Sequence, residues 1–173
     1  ALQHFEHLEH GLAVPPEQRY SAPKVVAQEF AIDGDVNPNE THVVMGWLLG
    51  SSSDLRDMLR AQLLNSVLLE HSGSPLRAAL ETTDLGAAPS ELSGLDDGCR
   101  EATFVVGLEG TNAEHAEAIE ALILAVLNEV AERGVAAEEI DSCLHQLELG
   151  QREVGGDYFP YGLNLMVRAL SNT

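Results

Sequence analysis

Between Thr103 and Gly134 an apolar strand runs almost directly into an amphipathic helix, and no other stretch constrains the fold of this chain so tightly. Thr103-Phe104-Val105-Val106-Gly107-Leu108 is short and apolar, as a buried strand requires. Thr111-Asn112-Ala113-Glu114 then has the spacing of a capping box, in which side chains satisfy the free N–H groups of a first helical turn. Ile119, Leu122, Ile123, Val126 and Val130 recur at the helical period until Gly134 stops them. The pattern predicts a helix over about Ala113 to Arg133, the longest in the chain, with one face in a core.

The remaining elements are read around that pair. Leu2 to Leu12 has the pattern of a short helix, and Pro15-Pro16 forces an extended linker as far as Pro23. Alternation from Lys24 to Asp33 places Val26, Phe30 and Ile32 on one side of an expected strand. A turn through Pro38-Asn39 leads to a second strand over His42 to Leu49, apolar enough to lie mid-sheet. Ser51-Ser52-Ser53 offers N-cap hydroxyls, with Asp54 in the first turn of a helix whose Leu55, Met58, Leu59, Leu63 and Val67 face inward. Ser72-Gly73-Ser74 ends it, and Pro75 opens a short helix through Leu80.

After a turn at Thr83 to Ala88, a weak strand is expected around Ser90 to Leu95. Downstream of Gly134, a helix from Ala137 to Arg152 turns Ile140, Cys143, Leu144 and Leu147 inward and stops at Gly155-Gly156. A last one begins at Pro160 with Leu163, Met166, Val167 and Leu170 aligned. The order strand-strand-helix-helix-strand-strand-helix-helix implies an α+β fold, an antiparallel-rich sheet with helices packed on one face. Residues 1–23 read as a linker helix and Pro-rich linker, and residues 24–173 as a single domain.

Charge removes several functions. The chain carries a formal net charge of −19, and Lys24 is its only lysine, so duplex nucleic acid is repelled and cationic peptides are favoured. No apolar run approaches the roughly 20 residues that cross a bilayer, so no membrane partner is expected. Cys99 and Cys143 form no C-x-x-C, which points away from a zinc ribbon and toward a reducing compartment, cytoplasmic or an organelle matrix. The first residues lack the order of a signal peptide, and both ends read as internal to a longer polypeptide.

Few residues promise chemistry. His4, His7 and His10 share a side of the first helix, but nothing in the sequence completes a tetrahedral metal site, and the triplet is not H-x-x-E-H. Cys143 and His145, two apart on a helix, point in different directions, so Cys143 is expected to pack in the core. The glycines at 46, 50, 107 and 110 fit neither a dinucleotide fingerprint nor a P-loop, and are expected to permit turns or close helix approach. Neither a catalytic residue nor a metal ligand is assigned to this chain.

Five blocks, in order, carry a resemblance. They are Gly46-Trp47-Leu48-Leu49-Gly50; Ser74-Pro75-Leu76-Arg77-Ala78-Ala79-Leu80; Phe104-Val105-Val106-Gly107-Leu108-Glu109-Gly110; Glu138-Glu139-Ile140 with His145-Gln146-Leu147-Glu148; and Phe159-Pro160-Tyr161-Gly162-Leu163-Asn164-Leu165-Met166. From Arg19 onward the chain resembles the second, non-catalytic domain of presequence-protease-like zinc metallopeptidases of the pitrilysin/insulinase family. That resemblance implies a parent enzyme of four similar α+β domains enclosing a chamber, in which a zinc-bound water cuts peptides. It places the zinc and its H-x-x-E-H motif in a different domain, so this chain holds no cofactor of its own. Its partners are then the other domains of the same polypeptide and peptide substrates, basic or unstructured.

In relatives the second domain offers a sheet edge that captures extended substrate. The matching stretch here is the weak strand, with Ser90, Leu92 and Gly94 as the candidate docking edge; Gly94 leaves room for a close backbone approach. Two alternatives stand beside this reading: a zinc-free assembly domain of the same fold, and a free-standing acidic peptide-binding domain.

Overall fold

A computed structural model describes residues 15–31, 37–152 and 160–170. Its sheet is organised by β4 (Glu101–Thr111), which pairs antiparallel with β1 (Thr41–Ser51) on one side and with β2 (Ala88–Pro89) and β3 (Gly94–Asp96) on the other. The ladder sets Val43 opposite Leu108, Met45 opposite Val106 and Trp47 opposite Phe104. Because side chains alternate across a strand, this register sends one apolar set to one face. That face meets α1 (Leu55–Asn65), α2 (Pro75–Thr82) and α3 (Ala116–Arg133), followed in the chain by α4 (Ala137–Arg152) and α5 (Tyr161–Leu170). The architecture is the α+β layer arrangement expected from the sequence, with helices on one face of an antiparallel sheet.

The core gathers Leu68, Leu69, Leu76, Leu80, Phe104, Val106, Leu108, Ile119 and Ile123, with Val43, Met45, Trp47 and Leu49 packed against them. Ile119 and Ile123 are fully buried, so the inner stripe of α3 lies where its spacing put it. The cap differs. Asn112, not Thr111, accepts the Glu114 N–H at 3.0 Å, and Ala113–His115 forms a 3₁₀ turn ahead of α3. The Thr111 hydroxyl instead donates to Leu85 O, tying the end of β4 to the turn after α2.

Likewise Asp54, not the serine cluster, caps α1, accepting from Arg56 and Asp57 N–H at 3.0 and 3.1 Å. Ser52 is buried, and its hydroxyl donates to Cys99 O and Arg100 O. After Asn65 the helix widens into a π turn over Ser66–Glu70, which rotates Val67, Leu68 and Leu69 into the core while Leu55 and Leu59 stay 78% and 51% exposed. The expected inward face therefore holds at Met58 and at Val67 in the π turn, and fails at Leu55 and Leu59.

Two expected strands need correction. Residues 24–31 make no ladder and lie exposed, with Val26 and Phe30 62% and 63% accessible; Ile32 and Asp33 fall outside the described residues. Alternation supplies a face but not a partner. The segment's Phe30 ring meets His42 edge-on, a side-chain contact that imposes no register on the backbone. The stretch from Ser90 to Leu95 is also not one strand: β2 and β3 flank a turn over Ser90–Ser93, closed by a Ser93 N–H bond to Ser90 O at 2.9 Å. In α4, Ile140 and Leu147 are half-buried and Cys143 is buried, but Leu144 is 45% exposed. In α5, Leu163, Met166 and Val167 are 40%, 51% and 51% exposed. The expected N-terminal helix with His4, His7 and His10, and the stop at Gly155-Gly156, lie outside the described residues.

Candidate functional site

Ser90, Leu92 and Gly94 are brought together along the outer side of β4, each in a different role. Ser90 is buried; its N–H donates to Gly107 O at 2.9 Å, and its hydroxyl oxygen accepts the Leu92 N–H at 3.3 Å. The Leu92 side chain is 66% exposed. Gly94 pairs with Val105 at a φ of 140°, a backbone state that L side chains rarely adopt, so glycine is required there. Around them, Glu91 N–H reaches Glu109 Oε2 at 3.4 Å, and Leu95 N–H donates to Asn65 Oδ1 at 3.1 Å. Ser93 Oγ accepts from Gly107 N–H at 3.2 Å. The pinning residues Asn65 and Ser93 gave no signal in the sequence, because their role depends on α1 ending beside β3.

The other candidate side chains separate. His145 is exposed with its Nδ1 2.8 Å from Asp141 O, whereas Cys143 is buried with Sγ 3.9 Å from His71 Nε2. Burial pushes the Cys143 thiol above its ordinary range, and the nearby Glu139 and Glu70 carboxylates push it the same way. A thiol held protonated is a poor nucleophile. With Cys99 exposed, the folded chain is expected to give one fast-reacting thiol with a disulfide reagent and a second only after denaturation. Two fast thiols would show Cys143 to be accessible. Among the described residues no group of three or more His, Cys, Asp or Glu is placed to hold a metal ion.

The face of the sheet turned away from the helices carries Val44, Gly46 and Leu48 from β1 and Glu101, Thr103, Val105, Gly107 and Glu109 from β4. It is apolar in the middle and acidic toward both ends, and none of these residues belongs to the core cluster.

A family model described as the peptidase M16 inactive domain matches residues 1–147. The chain belongs to the peptidase M16 inactive-domain family. It is 34% identical over 151 residues to the mitochondrial presequence protease of Xenopus tropicalis, covering 86% of this chain and 15% of that protein. Against the mitochondrial presequence protease of Danio rerio it is 29% identical over 152 residues, again 86% of this chain and 15% of the relative. Against presequence protease 1, chloroplastic/mitochondrial, of Arabidopsis thaliana it is 29% identical over 157 residues, 90% of this chain and 14% of the relative. The chain thus spans about 15% of the length of these relatives. It is a presequence-protease-like, non-catalytic domain of the M16 fold. Four of the five blocks behind the resemblance map onto β1, α2, β4 and α4. The last falls on α5 from Tyr161 on, with Phe159 outside the described residues. No described helix is long and apolar enough to cross a membrane.

Proposed function

We propose that this domain forms part of the wall of an enclosed chamber in a larger zinc metalloendopeptidase, and that peptides are degraded by a zinc site carried elsewhere in that polypeptide. The match to an inactive peptidase domain carries the reading, and the partly exposed, acidic-ended sheet face supports it as a surface that peptides can touch. The relatives named as mitochondrial or chloroplastic support an organelle compartment, in keeping with two free thiols. The test is zinc content and peptide cleavage of the longer protein beside the same measurements on this chain. Zinc and cleavage are expected in the first and neither in the second. A longer protein free of zinc and activity would favour an assembly domain.

The candidate docking edge is part of the proposal. A peptide laid against β3 would meet the exposed Leu92 side chain beside the half-buried backbone of Gly94, and would have to displace Asn65 Oδ1 to reach the Leu95 N–H. Proline at 90 is a poor probe, because the Ser90 N–H already serves the sheet. Leu92→Asp removes apolar contact and adds a surface charge. In the longer enzyme it is expected to raise KM for long peptides about fivefold to tenfold, leaving kcat and the cleavage of very short peptides unchanged. Equal effects on long and short substrates would remove the edge from the mechanism.

A further inference from the structure

Within the short strand β3 only the middle residue turns its backbone outward. Gly94, Leu95 and Asp96 pair with Val105, Phe104 and Thr103 of β4. Along an antiparallel ladder the N–H and C=O groups of successive residues point alternately toward the neighbouring strand and away from it. Leu95 points away: its N–H donates to Asn65 Oδ1 at 3.1 Å, and Asn65 belongs to α1 and not to the sheet. That N–H is the donor an added strand would use on this edge. The same carboxamide lies beside Gly94, where a Cβ would sit 3.6 Å from Asn65 Oδ1.

A carboxamide has the shape and polarity of one peptide unit. Its oxygen accepts as a strand carbonyl would, so Asn65 fills one place of a missing neighbouring strand with a group of the same chemistry. The group is also held there. Asn65 Nδ2 donates to Glu70 Oε1 at 3.1 Å, and the Ser66 hydroxyl donates to Glu70 Oε2. With Nδ2 committed to a carboxylate, the amide cannot turn over without losing a charge-assisted bond. The π turn makes this possible. In a regular α-helix the near neighbours on one face are three and four residues apart, whereas the wider turn after Asn65 brings Glu70, five residues on, within reach of its amide. Asn65 is half-buried and Glu70 exposed, so the latch is open to water on its outer side.

We propose that Asn65 is a gate on the docking edge: its carboxamide occupies the place of one peptide unit of an incoming strand, Glu70 latches it, and a peptide pairs with β3 only after the amide leaves the Leu95 N–H. The proposal rests on the docking edge given above and adds to it a residue and a means of control. The recognition it implies is of peptide backbone, whatever the charge of the side chains, because the gated group is a main-chain donor. Exchanging one hydrogen bond for another changes little free energy, so the gate sets the affinity of the edge and does not close it outright.

The experiment titrates a short fluorescein-labelled peptide of alternating threonine and valine, free of charged side chains, against the full chain by anisotropy. Asn65→Ala is expected to bind it about threefold to tenfold tighter than the unaltered chain, the worth of one ordinary hydrogen bond. Glu70→Ala, which leaves the amide in place but unlatched, should fall between the two. The same peptide N-methylated throughout cannot pair along a strand edge and should gain nothing from either change. Amide exchange at Leu95, followed by NMR, gives a readout that general loosening would not mimic. It is expected to quicken in Asn65→Ala and to slow again when the peptide is added, while the amides of β4 stay protected. Equal affinity of the unaltered chain and both variants would overturn the gate and leave the edge standing. Binding to none of the three would remove edge and gate together. Neither result involves zinc or cleavage in the longer protein, so the peptidase reading is tested apart from both.

Discussion

Gly107→Val is expected to lower stability by more than about 3 kcal/mol, enough to leave much of the chain unfolded at physiological temperature. β1 and β4 approach so closely at this point that a Cβ on residue 107 would lie 2.2 Å from Val43 O and 2.7 Å from Val44 Cα. Both are backbone atoms of a paired strand, so relief requires moving the ladder and not merely a rotamer. Gly46 is the control on the opposite strand. Its added Cβ would meet Val105 Cγ2 at 3.8 Å, an ordinary contact, so Gly46→Ala should change stability by less than about 1 kcal/mol. Urea unfolding followed by circular dichroism compares the two. A Gly107→Val midpoint close to that of Gly46→Ala would mean that the strands separate freely there and that the β1–β4 ladder is not the rigid centre of the fold.

The second large effect is expected at Ile123→Asp, at about 3–5 kcal/mol, because a carboxylate would enter the core without a partner. Ile123 is fully buried among the side chains of β4 and α2. Val126, one turn later, packs only against the margin of that cluster, so Val126→Asp should cost distinctly less, its charge reaching water along the helix flank. Thermal unfolding of the two variants reads the gradient. Equal losses would show that burial along α3 does not fall off toward its C-terminus.

Local pattern reached far into this fold. β1, β4 and α3 were legible because periodicity, cap chemistry and terminal glycine all pointed the same way within a few residues of each other. Cys143 was read as a core residue, and it is buried. The failures share one cause. Lys24 to Ala31 alternates like a strand, but a strand exists only when a neighbour accepts its hydrogen bonds, and the neighbour's availability is not written in the segment itself. Leu55, Leu59 and Leu144 sit at helical spacing, yet all three stay exposed, because spacing gives a helix a face without saying how far its neighbours cover it.

By itself the sequence determined the layer class, the two long strands and the long helix. These follow from short-range steric and solvation preferences, which act on residues close together in the chain. Only the tertiary structure decided that Asn65 pins the start of β3 and that Ser90 serves the sheet from within. It also decided that Arg19 meets Glu101 and Phe30 meets His42 at opposite ends of one sheet face. Each of these pairs residues through space across twelve or more positions of chain, and distance in space between such residues is set by how the layers pack and not by any pattern that either segment carries.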